Sequence, residues 1–360
     1  MFKFCAPFKP DAQALLDNIA RKGTPRRVHN VELFLDAEIQ TEICSRFDLD
    51  AGLKKDAPDF PYRRQIALAR FLGYDTIHVG LPMAMPLNWD STAQDGGELP
   101  REAGRKFVNE HAGPVTTWEQ FEKYPWPDVQ AASSEALDWY EKNLPDDMCI
   151  VGAADAHFCE YLCWLMGYET LCYALYDQRD LVKAIYEKTL SQSLAVCKRL
   201  AGYKRIKAVW GSDDMGFKTG TLISPPDMRE FVLAGHKRIV EIAHSHGWQY
   251  WLHACGKLEE IMPDLLDDVH IDAKHSFEDT IEQVADAKAK YGKKVAFFGG
   301  LDVDFLCHAD EAAVRQRVRK TLEACQPGGG YCLGTGNSVA NYIPVDSYLA
   351  MLDEGRKFTL

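Results

Sequence analysis

Residues 249–256 read QYWLHACG, a run of β-forming aromatic and aliphatic residues that ends in a histidine and a cysteine two positions apart. It follows a stretch of helical period, SPPDMREFVLAGHKRIVEIAHSHG (224–247), which opens on Ser224 as a helix cap before two prolines and closes on glycine. The pairing of a short strand with an amphipathic helix is the repeating unit of α/β folds. Working outward, the same alternation recurs. Strand candidates lie at 27–34, 75–81, 149–155, 205–214, 249–256, 269–276, 294–302 and 330–337, with DEAAVRQRVRKTLEACQPGGG (310–330) as a second clear helix ahead of the last. Eight strands alternating with helices predict a (β/α)8 TIM barrel. An open doubly wound sheet is the alternative, but no GxGxxG follows any strand.

The 360 residues fit a single barrel domain spanning 1–360. The connection after the second strand, 82–148, is rich in Pro, Gly and Trp without a clean helical period. A long loop after a barrel strand lies at the C-terminal mouth, so this segment reads as a mouth-lining insertion. A net charge of −12 and the lack of any long basic run argue against nucleic acid as a partner. No uninterrupted apolar stretch approaches the length of a membrane span and no leader pattern opens the chain, so the reading is a cytoplasmic protein off the membrane. The eleven cysteines are scattered without CxxC pairs, and most read as reduced, buried filler.

Side chains alternate across a strand, so Trp251, His253 and Cys255 share one face and Tyr250, Leu252 and Ala254 the other. If the apolar set faces the helices, His253 and Cys255 point into the barrel at its catalytic end. Imidazole and thiolate are both zinc ligands, and Cys332 in the last strand is a candidate third. Carboxylates at strand ends, among them Glu160, Asp213, Asp214, Asp272 and Asp302, suggest a polar mouth, although each could instead cap a helix. His78, His157 and His275 are further candidates, with hydrogen-bonded core histidines as the plain alternative.

The motifs WGSDDMGFKTGTLISPPDMREFV (210–232), HACGKLEEIMPDLL (253–266), FFGGLDV (297–303) and PGGGYCLGTGNSVANYIPVDSYLAML (327–352) resemble, in matching order, the uroporphyrinogen decarboxylase superfamily. RRVHNVELFLDAEI (26–39) and GYETLCYALYD (167–177) extend the resemblance over most of the chain. It implies a (β/α)8 barrel. True decarboxylases of that superfamily carry an RQAGRY core and an SDIL motif, where this chain has VELFLDAEIQ (31–40) and HVGLPMAMP (78–86), so uroporphyrinogen decarboxylation is a distant alternative.

The closer resemblance is to the zinc-dependent, corrinoid-linked methyltransferase branch, whose His-x-Cys and distal Cys match His253, Cys255 and Cys332. In some relatives the distal ligand falls later, at the position of Asn337. Asp214 and Glu160 are then the expected catalytic carboxylates, with either a candidate fourth ligand, and Trp210, Trp251, Phe298 and Asn337 the expected substrate-binding residues. The implied cofactors are Zn2+ and a corrinoid (cobalamin) presented by a partner carrier protein, since no Asp-x-His-x-x-Gly cobalamin motif occurs here. Aromatics near the mouth, including Trp89, Trp210, Trp251, Phe297, Phe298 and Tyr342, tip the expected reaction toward O-demethylation of a small methoxylated aromatic compound. Methyl transfer from methylcobalamin to a thiol or tetrahydrofolate is the alternative; a non-enzymatic barrel with inert cysteines is a third. A homodimer stays open as the assembly.

Overall fold

A computed structural model of the chain describes residues 2–93, 97, 99, 101, 105–109, 111 and 113–358. Its strands are β1 (Thr76–Val79), β2 (Trp89–Ala93), β3 (Arg105–Val108), β4 (Cys149–Ala153), β5 (Ile206–Ser212), β6 (Gln249–His253), β7 (Ala273–His275), β8 (Ala296–Phe298) and β9 (Tyr331–Cys332). Seven of them form one sheet in the order β1-β4-β5-β6-β7-β8-β9, every neighbouring pair parallel. Sequential parallel neighbours require a crossover at every step, and the helices supply it on the outer face.

The eighth strand expected at 27–34 is not a regular strand. Asn30 alone bridges both Tyr74 and Leu333, and Leu35 bridges Val339. On the β9 side the ladder is sound, with Val31 N–H donating to Leu333 O at 3.0 Å and Leu333 N–H to His29 O at 2.8 Å. On the β1 side the segment separates from the sheet, and a cavity of ≈ 140 Å³ lined by Val31–Leu35 and Thr76–His78 fills the seam. The segment therefore closes the curled sheet into an eight-part barrel while hydrogen-bonding fully on one edge only.

Parity follows the sequence. Val31, Val151, Ala208, Trp210, Trp251, Ala273, Ala296, Phe298 and Cys332 pack inside the barrel, together with Leu15 and Ile19 of the helix Ala12–Ile19. Tyr250, Leu252, Ala254 and Phe297 face the outer core under the helices. The helix Ala12–Ile19 plugs the N-terminal end. Asp11 caps it through Ala14 N–H, and the buried Asp75 ties that end together by accepting from Asp11 N–H at 2.7 Å and pairing with Arg27 and His29.

The expected helix caps are present. Ser224 Oγ accepts from Asp227 N–H at 3.3 Å and Asp310 from Ala313 N–H at 2.8 Å. The second helix ends ahead of Gly328, Gly329 and Gly330, all at positive φ, a turn that only glycine makes without strain. Between β1 and β4, where no regular period was expected, the chain forms the antiparallel pair β2–β3 and the helices Trp118–Lys123 and Glu135–Asn143. The last of these packs on the helix Phe60–Leu72, with Tyr140 donating to Gln65 at 2.6 Å. Leu99 N–H reaches Asn341 O, and Leu81, two residues after β1, lines a cavity with Trp210 and His157.

Candidate metal centre

β5 and β6 pair with Ser212 level with His253, and both strands aim alternate residues inward. Asp214, two residues past Ser212, and Cys255, two past His253, stand just above that level. One ligand atom from each of Asp214, His253 and Cys255 lies within 4.8 Å of the others. His253 Nε2 is 3.3 Å from Cys255 Sγ and 3.4 Å from Asp214 Oδ1. A tetrahedral ion with ligand bonds of about 2.0–2.3 Å holds neighbouring donors about 3.3–3.6 Å apart, so the spacing fits zinc. The backbone holds the arrangement: Cys255 N–H donates to Asp214 Oδ1 at 3.2 Å.

The tautomers also fit. The Thr335 carbonyl can only accept, so His275 donates to it through Nε2–H, at 3.3 Å. Burial, with the adjacent His253, pushes His275 well below the ordinary imidazole value, so its Nδ1 is bare. His253 must then donate Nδ1–H across the 2.8 Å contact to His275 Nδ1, which turns its Nε2 toward Cys255 and Asp214. An imidazole nitrogen and a carboxylate oxygen 3.4 Å apart are joined either by a proton on the ring or by a cation between them. The Cys255 thiol is pushed up by burial and by the Asp214 charge, so it ionises only if a cation joins the group.

The structure does not bring Cys332 to this group. Cys332 is fully buried inside the barrel and receives the Asn18 amide of the plugging helix at 3.5 Å. Cys332 pairs with Phe298 across β8 and β9, but its side chain packs with Leu15, Ile19 and Trp251 and meets Asn18 of the plugging helix, inside the barrel and away from the mouth. The chain reaches the mouth at Thr335 and Asn337. Asn337 Nδ2 donates to Cys255 Sγ at 3.4 Å, so this residue meets a ligand of the group. The third donor beside His253 and Cys255 is Asp214, a residue expected to be catalytic.

Trp251 and Phe298, expected to touch substrate, are fully buried and stack edge to face at 5.0 Å as the floor beneath the site. Trp210 is different. It forms one wall of a cavity of ≈ 310 Å³ with Leu33, Phe34, His78, Leu81 and Val196, and its buried Nε1 has no hydrogen-bond partner. Asp155, His157 and Ser212 give the cavity a polar side. Trp89 and Tyr342 are exposed, and Phe297 is in the outer core.

Glu160 lies near the N-terminus of the helix Phe158–Met166 and accepts from His157 Nδ1 at 2.8 Å. Burial raises its carboxyl to about 7, with Asp213 and Asp214 adding repulsion against the pull of His157. For His157 burial opposes protonation, but Glu160, Asp155 and Asp213 overcome it and lift the ring to about 9. The two titrate as a unit. Sequence reading missed what holds this helix in place. Fully buried Asp213 accepts from Cys159 N–H and Glu160 N–H, each at 2.9 Å, and from His236, which meets Tyr250 Oη at 2.7 Å. The Asp-Asp dipeptide and a histidine on the apolar helix face were the available signals.

The sequence pattern of the family described as uroporphyrinogen decarboxylase (URO-D) matches residues 105–358. The chain belongs to the uroporphyrinogen decarboxylase family. No curated protein sequence matches it. Among solved structures it is similar to a candidate vitamin-B12-independent methionine synthase from Listeria monocytogenes, at 13% identity over 93% of this chain and 98% of that one, with a TM-score of 0.46. It is also similar to a xylose isomerase-like TIM barrel protein from Mycobacterium smegmatis in complex with magnesium, at 14% identity over 84% and 90% of the two chains, with a TM-score of 0.39. The matched family segment begins at β3 and includes Glu160, Trp210, Asp214, His253, Cys255 and Asn337.

Proposed function

We propose that this member of the uroporphyrinogen decarboxylase family is a zinc-dependent methyltransferase that moves a methyl group from a methoxylated aromatic compound to the Co(I) corrinoid of a separate carrier protein. The observation that carries the reading is the convergence of Asp214, His253 and Cys255 at the barrel mouth, where chemistry in this fold is done. These three residues would hold the ion, which supplies Lewis-acid polarisation of a substrate oxygen.

The neighbouring cavity is small for a ligand site, has room for one substituted ring, and among the described residues has no arginine in its lining. A tetrapyrrole bearing many carboxylates would need both more volume and cationic partners, which is why the namesake decarboxylation is not favoured. Leu33, Phe34 and Leu81 keep water from the ring face, and Trp210 supplies an aromatic wall for it. Ether cleavage consumes one proton: ether, Co(I) and H+ give a phenol and a methyl–cobalt bond. Glu160, with its carboxyl near 7, holds such a proton beside the ligand group.

The test is incubation of zinc-loaded protein with a Co(I) corrinoid protein and a panel of methoxyarenes. Formation of methyl–cobalt absorbance with stoichiometric phenol supports the reading; absence of both across the panel overturns it. Demethylation of methylcobalamin by added thiol or tetrahydrofolate, without ether cleavage, would instead identify the reverse-facing reaction.

A further inference from the structure

We infer that Glu32 works as a neutral carboxylic acid whose proton holds the loop bearing Thr335 and Asn337 against the ligand group, making it a positioning residue of the site. Thr335 N–H donates to Glu32 Oε1 at 2.9 Å, and Thr335 Oγ1 lies 2.7 Å from Glu32 Oε2. The same Oγ1 lies 2.7 Å from the Asn337 carbonyl oxygen. A hydroxyl has one hydrogen, and a carbonyl can only accept. The Thr335 hydrogen therefore goes to Asn337 O, and the Glu32 contact is satisfied only if Oε2 carries a hydrogen of its own.

The surroundings agree. Glu32 is 5% exposed and lines the seam cavity with Tyr74 and His78. The titratable groups facing it are Tyr74 and His78 on the β1 side, Tyr331 of β9, and Tyr348 of the helix Val345–Lys357. All are neutral: burial raises the three phenols and lowers His78 to about 4. With no cation facing it among the described residues, burial lifts the Glu32 carboxyl to about 8, against the effect of its Thr335 contacts. Gly334 makes the approach feasible, since a Cβ there would come within 2.2 Å of Val31 O and 3.2 Å of Glu32 Oε1.

From this anchor two branches reach the site. Thr335 O accepts from His275, which orients His253, and Asn337 Nδ2 meets Cys255 Sγ. Ionised Glu32 would claim the Thr335 hydrogen, leave the Asn337 carbonyl without a donor, and loosen both branches.

The inference on protonation stands whether or not the proposed methyl transfer is correct; only its effect on metal depends on the ligand reading. Infrared difference spectra of the full chain, wild type against Glu32→Gln, should show a carboxylic-acid band at neutral pH that belongs to Glu32 and fades near its titration at about 8. An ionised Glu32 at neutral pH overturns the inference. Zn2+ titration supplies the second readout. Glu32→Gln keeps a donor toward Thr335 Oγ1, so its affinity should stay near wild type at neutral pH and lack the loss wild type shows above about 8. Glu32→Leu, which supplies neither group, should bind about 10- to 100-fold more weakly at every pH. Equal loss in Glu32→Gln and Glu32→Leu, or an alkaline limb unchanged in Glu32→Gln, overturns the positioning role even where Glu32→Leu fails to fold.

Discussion

Cys255 meets His253 Nε2, Asn337 Nδ2, Ser276 Oγ and the neighbourhood of Asp214, so its thiol proton is the one a metal must displace. Metal uptake should release a proton and tighten as pH rises toward the thiol's elevated value. Isothermal titration of Zn2+ in buffers of different ionisation enthalpy measures that release. His253→Ala should abolish stoichiometric binding, and His275→Ala, which only removes the orienting partner, should weaken it about 10- to 100-fold. Cys332→Ala should leave metal content unchanged, because its neighbours are Asn18 and the apolar interior. Its cost is packing, about 1 kcal/mol by urea denaturation. For Glu32 the linkage has a definite sign. Its folded pKa of about 8 exceeds the ordinary 4.5, so wild type should lose stability relative to Glu32→Gln as pH rises between those values, with no further loss above about 8. A urea series across that window reads it.

At the scale of elements, β5 and the helix Phe158–Met166 act as one piece through Asp213. Its carboxylate takes the second and third N–H groups of the helix and the His236 ring, so the helix start is fixed beside Asp214. Gly211 permits this: a Cβ there would lie 2.0 Å from Tyr250 Oη. Gly211→Ala should push the Tyr250–His236–Asp213 chain aside and cost about 1–3 kcal/mol in urea denaturation. It should also shift the pH dependence of turnover, since Glu160 titrates under the influence of Asp213. Glu160→Gln should lower kcat about 10²- to 10⁴-fold while leaving zinc content intact.

Over the whole molecule, the barrel has a sealed end and a working end. Helix Ala12–Ile19, Asn18 and Asp75 close the first; the ligand group and the cavity beside Trp210 occupy the second. Trp210, Trp251 and Phe298 pack between them, with Trp251 and Phe298 wholly buried. Phe298→Ala should therefore cost about 3–5 kcal/mol of stability and act on chemistry only through that loss. Trp210→Ala removes one wall of that cavity, so it should raise KM more than it lowers kcat. Among the described residues no helix is long and apolar enough to cross a membrane.

The sequence by itself determined whatever depends on neighbours along the chain. Period-two and helical patterning set the alternation, parity put Trp251 and His253 inside and Tyr250 and Leu252 outside, and Ser224, Asp310 and the Gly328–Gly330 turn marked helix ends. The convergence of His253 and Cys255 was legible because both come from one strand end. Tertiary structure alone decided the layer at which each strand crosses the axis. Barrel strands are staggered, so position along one strand gives no height on another. That is why Cys332 matched the ligand pattern yet lies beside Asn18, while Asp214 and Asn337 stand at the level of His253 and Cys255.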